Sequence, residues 1–255
     1  MNISLPISGV LMVMEAVLLG FFSYNRWQEY RSHQSNQITY RYWIASFLVS
    51  LGFLAYGLPA LFTENPDSII LGGFVGMILN AIGFSNFFLI PLYGWLSPRM
   101  YIVAKHILFL FPIILALGMI VFPSNSFVDI QGIIHWRFNP VVGILAAAHM
   151  DIAFMANITL LYLHFYRLRH LSILNTLALM ITFILTGIAG SYQYIGDDSL
   201  GLGLSVVVLY LGISVVFYSV ARGKINRVLG WQNEERSATL GPNAKQNPGN
   251  SRTDS

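Results

Sequence analysis

Two carboxylates stand inside long apolar runs of this sequence, and they are the residues best placed to do chemistry. Glu15 lies in the first run and Asp151 in the fifth, and His149 comes two residues before Asp151. An ionisable side chain in hydrocarbon is costly unless it is paired, hydrated or neutralised, so an acid at such a position is a candidate functional residue. A carboxyl group and an imidazole could bind the polar part of a ligand, or accept and donate a proton.

The apolar runs that hold these residues are long enough to cross a bilayer. The chain has 255 residues, of which 55% are hydrophobic and only 10% are charged, a composition that excludes an ordinary soluble domain. A membrane-spanning helix needs about 20 apolar residues. The sequence therefore predicts an all-α, polytopic membrane protein with a single bundle of seven transmembrane helices. The predicted spans are Ile7 to Tyr24, Tyr40 to Phe62, Ile69 to Tyr93, Ile102 to Phe122, Val141 to Tyr166, Leu171 to Tyr194 and Leu200 to Ala221.

The basic residues predict the orientation of the bundle. Thirteen of the fourteen Lys and Arg residues fall on one side of the seven-span arrangement, and Arg137 is the only exception. Because Lys and Arg concentrate in cytoplasmic connections, the amino terminus is expected outside and the carboxyl terminus in the cytoplasm. We therefore expect a multi-pass protein of the plasma (inner) membrane. Residues 1–221 form the transmembrane domain, and residues 222–255 form a cytoplasmic interfacial segment followed by a disordered tail.

Because this orientation defines the outer end of each span, the distance of a residue from that end gives its depth in the membrane. Glu15, His149 and Asp151 come about 12–15 Å below the outer ends of their spans, at a rise of 1.5 Å per residue. A polar pocket in the outer half of the bundle is therefore expected. Its candidate residues are Glu15, Asn80, His149, Asp151, Tyr56, Tyr192 and Gln193. Residues two apart on a helix differ in direction by about 200°, so His149 and Asp151 cannot share one face, and His149 is preferred for the cavity. The alternative is that these groups serve helix packing.

Two further patterns predict how the helices pack. Gly72, Gly76, Asn80 and Gly83 form a small-residue face on the third span, which suits close helix contact within the chain, with a homodimer contact as the alternative. The fourth span has few polar residues and is expected to be the most exposed to lipid. The longest connection, from Pro123 to Pro140, is expected to lie against the outer membrane surface.

The sequence lacks the residues that several kinds of chemistry require. The chain has no cysteine, which removes thiol catalysis and thiolate metal sites, and no metal site is predicted. Retinal needs a Schiff-base lysine in the seventh span, whereas Lys105, Lys224 and Lys245 all lie at or beyond the inner border. No cofactor is predicted, and haem is disfavoured because only His106 and His164 approach a facing pair. The common hydrolase and nucleotide-binding motifs are absent.

These observations favour a ligand-sensing or accessory/assembly protein with an outward-facing polar pocket. The expected partners are membrane lipids, a small hydrophobic ligand and a separate cytoplasmic or membrane protein, since the chain shows no output domain of its own. Nucleic acid is not expected, because the basic residues line the membrane border. One alternative is an acid/base enzyme acting on a lipid or isoprenoid. Another is transport of protons or a small solute.

Overall fold

The computed structural model describes residues 6–32, 37–62, 65–168 and 173–221, which form seven helices and one short antiparallel hairpin. The predicted segment and tail at 222–255 lie outside the described residues. The helices are α1 (Ile7–Ser32), α2 (Gln37–Phe62), α3 (Pro66–Trp95), α4 (Pro98–Val121), α5 (Pro140–Leu168), α6 (Ile173–Ile195) and α7 (Ser199–Ala221). The hairpin pairs β1 (Phe127–Val128) with β2 (Ile134–His135) between α4 and α5.

The helices have the composition of an α-helical membrane protein. Helices α1 to α5 are long and apolar enough to cross a membrane, and α6 and α7 contribute the shorter apolar stretches Leu179–Ile195 and Ser199–Val215. Most helices extend beyond the apolar runs that predicted them, because capping residues rather than hydrophobicity set the ends. Three helices begin with proline in the first turn, preceded by Asn65, Ser97 or Asn139, whose side chain accepts a hydrogen bond from a first-turn N–H. This is the favoured start of a helix.

Six of the helices form a closed ring, and α4 lies outside it. Neighbours around the ring are α1, α2, α3, α5, α6 and α7, with α7 packing again on α1, while α4 packs on α3 and α5. Among the five long helices, α4 is the least buried, as its lack of polar residues predicts. Its buried residues are Pro112, Leu115 and Met119.

Small residues let the first three helices approach closely. The predicted small-residue face of α3 packs on α2: a Cβ added at Gly83 would lie 3.1 Å from the Ala45 carbonyl oxygen, and one at Gly72 would press on the Ala55 carbonyl. Between α1 and α2, a Cβ on Gly57 would lie 2.7 Å from the Gly9 carbonyl oxygen. The glycine face therefore serves packing within this chain.

The two ends of the ring differ in charge, and the β1–β2 hairpin lies at only one of them. The end beside the hairpin, here called the hairpin end, includes the first turn of α1 and the α6–α7 turn. The opposite end, here called the basic end, carries Arg26, Arg31, Arg41, Arg99 and Lys105.

Candidate ligand-binding cavity

An internal cavity of about 170 Å³ lies inside the ring. All six ring helices contribute to its wall, together with Trp136 from the hairpin, whereas α4 contributes nothing. Along α1 the lining runs from Met12 to Phe22, a length of about 15 Å at the helical rise. The lining residues are Met12, Leu18, Leu19, Phe22, Tyr42, Ala45, Ser46, Val49, Phe53, Tyr56, Asn80, Phe84, Phe87, Trp136, Met150, Phe154, Asn157, Leu160, Phe183, Thr186, Gly190, Gln193, Tyr194, Leu209, Gly212 and Ile213. The cavity is thus long, narrow and mainly apolar.

At the hairpin end the cavity is closed by Trp136. Its ring lies 4.6 Å from the ring of Tyr56, centroid to centroid, and is nearly fully buried. A Cβ at Gly73 would lie 3.0 Å from this indole, so glycine makes room for it. The next residue, Arg137, has a φ of 42°, a left-handed conformation that non-glycine residues rarely adopt. This turn leaves Trp136 inside the bundle and Arg137 half-exposed.

Polar side chains collect beside Trp136. The hydroxyls of Tyr56 and Tyr194 and the amide of Asn80 lie close enough to interact with one another. Gln193 donates a hydrogen bond to the Leu202 carbonyl at 3.0 Å and also contacts the Ser205 hydroxyl. Three of the predicted pocket residues, Tyr56, Asn80 and Gln193, therefore meet at this end of the cavity.

The hairpin is attached to the α6–α7 turn by Asp129, His135 and Ser199, here called the hairpin anchor. The Ser199 hydroxyl donates to Asp129 Oδ2 at 2.6 Å, and His135 Nε2 lies 3.1 Å from the same oxygen. Asp129 Oδ1 accepts the backbone N–H groups of Gln131 and Ile133, each at 2.9 Å. Burial alone would raise the pKa of Asp129, but these hydrogen bonds outweigh it and lower the pKa.

A serine at the start of α1 attaches the hairpin to the neighbouring helix of the ring. The Ser8 hydroxyl donates to the Gly132 carbonyl at 3.2 Å and accepts the Ile134 N–H at 2.9 Å. The connection that was expected to lie on the membrane surface is therefore a cap. It joins α1 to α7 and inserts Trp136 between the helices.

The basic end of the cavity is closed by aromatic rings from several helices. Tyr42 of α2 lies 5.7 Å from Phe87 of α3, and Phe87 lies 5.7 Å from Phe154 of α5 and 6.1 Å from Phe183 of α6. These tilted and edge-on arrangements are the favourable ones for aromatic pairs. Asn157 lines the wall beside them and donates to the Phe87 carbonyl at 3.0 Å.

Glu15 is fully buried but does not line the cavity. It lies on the same face of α1 as Met12 and Leu19, which do line it. Neither carboxyl oxygen has a hydrogen-bond partner among the described residues. Packed side chains therefore separate this acid from water, from lipid and from the cavity.

His149 and Asp151 point to different interfaces, as their spacing predicts, and neither lines the cavity. His149 contacts the Ser85 hydroxyl at 3.1 Å and the Ala81 carbonyl at 3.2 Å, and its ring stacks on Phe111 of α4 at 4.3 Å. It therefore lies between α5, α3 and α4, rather than on the cavity side where it was expected. Asp151 faces α6 beside Gly187.

Tyr192 also lies apart from the cavity. Its hydroxyl donates to Asp198 in the α6–α7 turn. This hydrogen bond, with a second from the Gly201 N–H, lowers the pKa of the exposed Asp198. Of the seven predicted residues, Tyr56, Asn80 and Gln193 therefore line the cavity, and the other four do not.

Sequence reasoning missed Trp136 and the aromatic wall. Trp136 carries no sign of burial, because it sits in a connection between His135 and Arg137. The wall residues repeat at helical spacing, as in Phe84 and Phe87, but apolar residues at that spacing also face lipid. The described residues contain no group of three or more His, Asp or Glu side chains placed to hold a metal ion.

No protein-family model matches the sequence, and no curated protein matches it.

Proposed function

We propose that this protein is a membrane-embedded ligand sensor that binds an elongated, mainly apolar molecule in the central cavity. The observation that supports it is the cavity wall, to which all six ring helices contribute. A ligand held there contacts every ring helix at once, so occupancy can shift their packing. A separate membrane or cytoplasmic protein would respond to that shift.

The proposed orientation is seven membrane crossings with the amino terminus outside. Five basic residues mark the basic end, whereas the hairpin end carries Asp67, Asp129, Asp197 and Asp198 with Arg137 alone among the described cations. Tyr30, Tyr40 and Trp43 also cluster at the basic end, with ring centroids 5.2 to 6.2 Å apart. Aromatic clusters are typical of the membrane interface. The basic end is therefore assigned to the cytoplasm, which makes the plasma membrane the expected location.

Sensing is favoured over catalysis by the positions of the ionisable groups. Glu15 is fully buried among packed side chains. His149 contacts the Ala81 carbonyl of α3 and stacks on Phe111 of α4. A general acid or base must reach the group it serves, directly or through one water. Within the described part of the chain, no carboxylate or imidazole lines the cavity.

Filling the cavity tests the proposal. Leu209 lines the cavity on α7 and is 4% exposed, whereas Leu211 faces outward on the same helix and is 56% exposed. Leu209→Trp should displace the ligand, and Leu211→Trp should not. Mass analysis of organic molecules that copurify with the full chain should show a loss of at least about tenfold for Leu209→Trp alone, equivalent to about 1.4 kcal/mol.

Thermal unfolding of both variants provides the folding control, because overpacking costs about 1–3 kcal/mol. A folded Leu209→Trp protein that retains the same molecules at wild-type amounts would contradict the proposal.

A further inference from the structure

A buried arginine lies at the basic end of the cavity. Arg26 is only 3% exposed, and its guanidinium carbon lies 5.5 Å from the centre of the Phe22 ring. It also lies near the Tyr42 side chain. Phe22 and Tyr42 are the cavity-lining residues nearest the basic end on α1 and α2. The guanidinium therefore lies beside two side chains that line the cavity.

The charge of Arg26 is incompletely balanced. Its Nη1 lies 2.7 Å from Glu29 Oε2, but the Glu29 side chain is 32% exposed, so water weakens this ion pair. The Nε of Arg26 has no hydrogen-bond partner among the described residues. An N–H buried without a partner is destabilising unless another molecule accepts its hydrogen bond.

A second buried arginine adds to the positive charge. Arg41 is 9% exposed, and its Nη1 donates to the neutral amide oxygen of Asn86 at 2.8 Å. Its own Nε also lacks a partner within the described structure. At the basic end, Glu29 is the only described carboxylate. Two buried guanidinium groups and one partly exposed carboxylate leave a net positive charge there.

The shape of the cavity fits a chain attached to an anionic group. The wall from Met12 to Phe22 is about 15 Å long, which is about half the thickness of the hydrocarbon core and therefore about the length of one acyl chain. The buried arginines near the cavity, Arg26 and Arg41, lie at its basic end only. The described wall is mainly apolar and aromatic, and its polar groups are uncharged.

We propose that the ligand is a single-chain amphiphile with an anionic head group, a carboxylate or a phosphate, that binds at Arg26 while its chain occupies the cavity. This inference rests on the proposed function, because it assigns the chemistry of the molecule bound there. Guanidinium groups pair well with both kinds of anion. Movement of the Phe22 and Tyr42 rings brings the head group into contact with Arg26.

Photolabelling of the full chain tests the proposal. The protein is placed in phosphatidylcholine nanodiscs and labelled with three saturated chains of equal length, each with a diazirine at the chain end: a carboxylic acid, an alkyl phosphate and a neutral alcohol. Labelled peptides containing Met12 or Phe53 report a chain end at the hairpin end of the cavity. At least one anionic probe should label them about tenfold more than the alcohol, and an equal yield for all three would overturn the proposal.

Arg26→Gln should reduce labelling by the preferred anion to the level of the alcohol. Arg31→Gln is the matched control, because Arg31 lies on the same helix over the Trp27 ring, away from the cavity, and should leave the yields unchanged. If Arg26 only pairs with bilayer phosphate, Arg26→Gln will leave cavity labelling unchanged, which contradicts the inference. The comparison of probes in the wild-type protein remains decisive if the variant does not fold.

Leu209→Trp separates failure of this inference from failure of the proposed function. It should abolish cavity labelling by all three probes. If it does so while acid, phosphate and alcohol label the wild type equally, the cavity binds a chain but Arg26 does not select its head group. If labelling persists in this variant, the cavity is not the binding site.

Discussion

The two ends of the cavity are closed in different ways. At the hairpin end, one tryptophan from a connection covers the opening, and the connection is attached by the Ser8 contacts and the hairpin anchor. At the basic end, aromatic rings from α2, α3, α5 and α6 pack against one another. We therefore expect a local change of the hairpin to open the first end, and movement of ring side chains or of whole helices to open the second. Elements held by few contacts are the ones that open locally.

The largest effect is expected at the hairpin end, because a single side chain closes it. Trp136→Ala should lower the free energy of unfolding by about 3–5 kcal/mol, the usual cost of truncating a buried Trp. Denaturant titration in mixed micelles would measure this loss. Amide exchange at Ile133 and Ile134 should also become faster than exchange in α3, because the hairpin loses its main contact with the ring.

Trp95→Ala is the control for this change. Trp95 ends α3 at the basic end and is 44% exposed, so its loss should cost less than about 1 kcal/mol. Equal losses for the two variants would show that the hairpin end does not depend on Trp136.

The sequence predicted the helical elements better than the cavity. The apolar run from Val141 to Tyr166 predicted α5 (Pro140–Leu168) closely, because hydrophobicity along one element is a local signal. The face of Gly72 and Gly76 predicted close packing, because small residues allow it wherever the partner lies. Both signals depend on residues next to each other on one element.

The cavity depended on contacts that no single element specifies. Depth along a span placed Glu15 and His149 in one layer, but which way each points depends on the helix that packs beside it. His149 faces the interface with α4 because α4 lies outside the ring, against α3 and α5. Trp136 is buried because the hairpin is attached at Ser8 and at Ser199. The Ser8 contacts span 124 and 126 residues of the sequence, and the Ser199 contacts span 64 and 70. Long-range contacts of this kind leave no periodic pattern.

A smaller loss is expected when the charge of the hairpin anchor is removed. Asp129→Asn should lower the free energy of unfolding by about 1–3 kcal/mol, because hydrogen bonds to an ionised group are stronger than neutral ones. The pKa of Asp129 is lowered in the folded protein. Its contribution is therefore fully present above the unfolded pKa of about 3.9, and is lost as the pH falls through the lower folded value.

Unfolding of wild type and Asp129→Asn as a function of pH would measure this contribution. The difference between them should be constant above about pH 5 and should shrink below about pH 4. Asp67→Asn is the control, because Asp67 is an exposed residue in the first turn of α3 and is not part of the hairpin anchor. A wild-type protein that keeps its full advantage over Asp129→Asn in acid would show that the ionised carboxylate does not hold the hairpin.

The smallest effect is expected at the exposed ion pair of the same hairpin. Arg137 Nε lies 3.0 Å from Asp197 Oδ1, but the two side chains are 50% and 70% exposed, and Asp197 is 3.9 Å from His135 Nδ1. Solvent and salt weaken such contacts. Asp197→Asn should therefore cost no more than about 1 kcal/mol in denaturant titration, and less at high salt. If it costs as much as Asp129→Asn, the exposed pair rather than the hairpin anchor attaches the hairpin to α7, and closure of the cavity would then depend on ionic strength more than on acid.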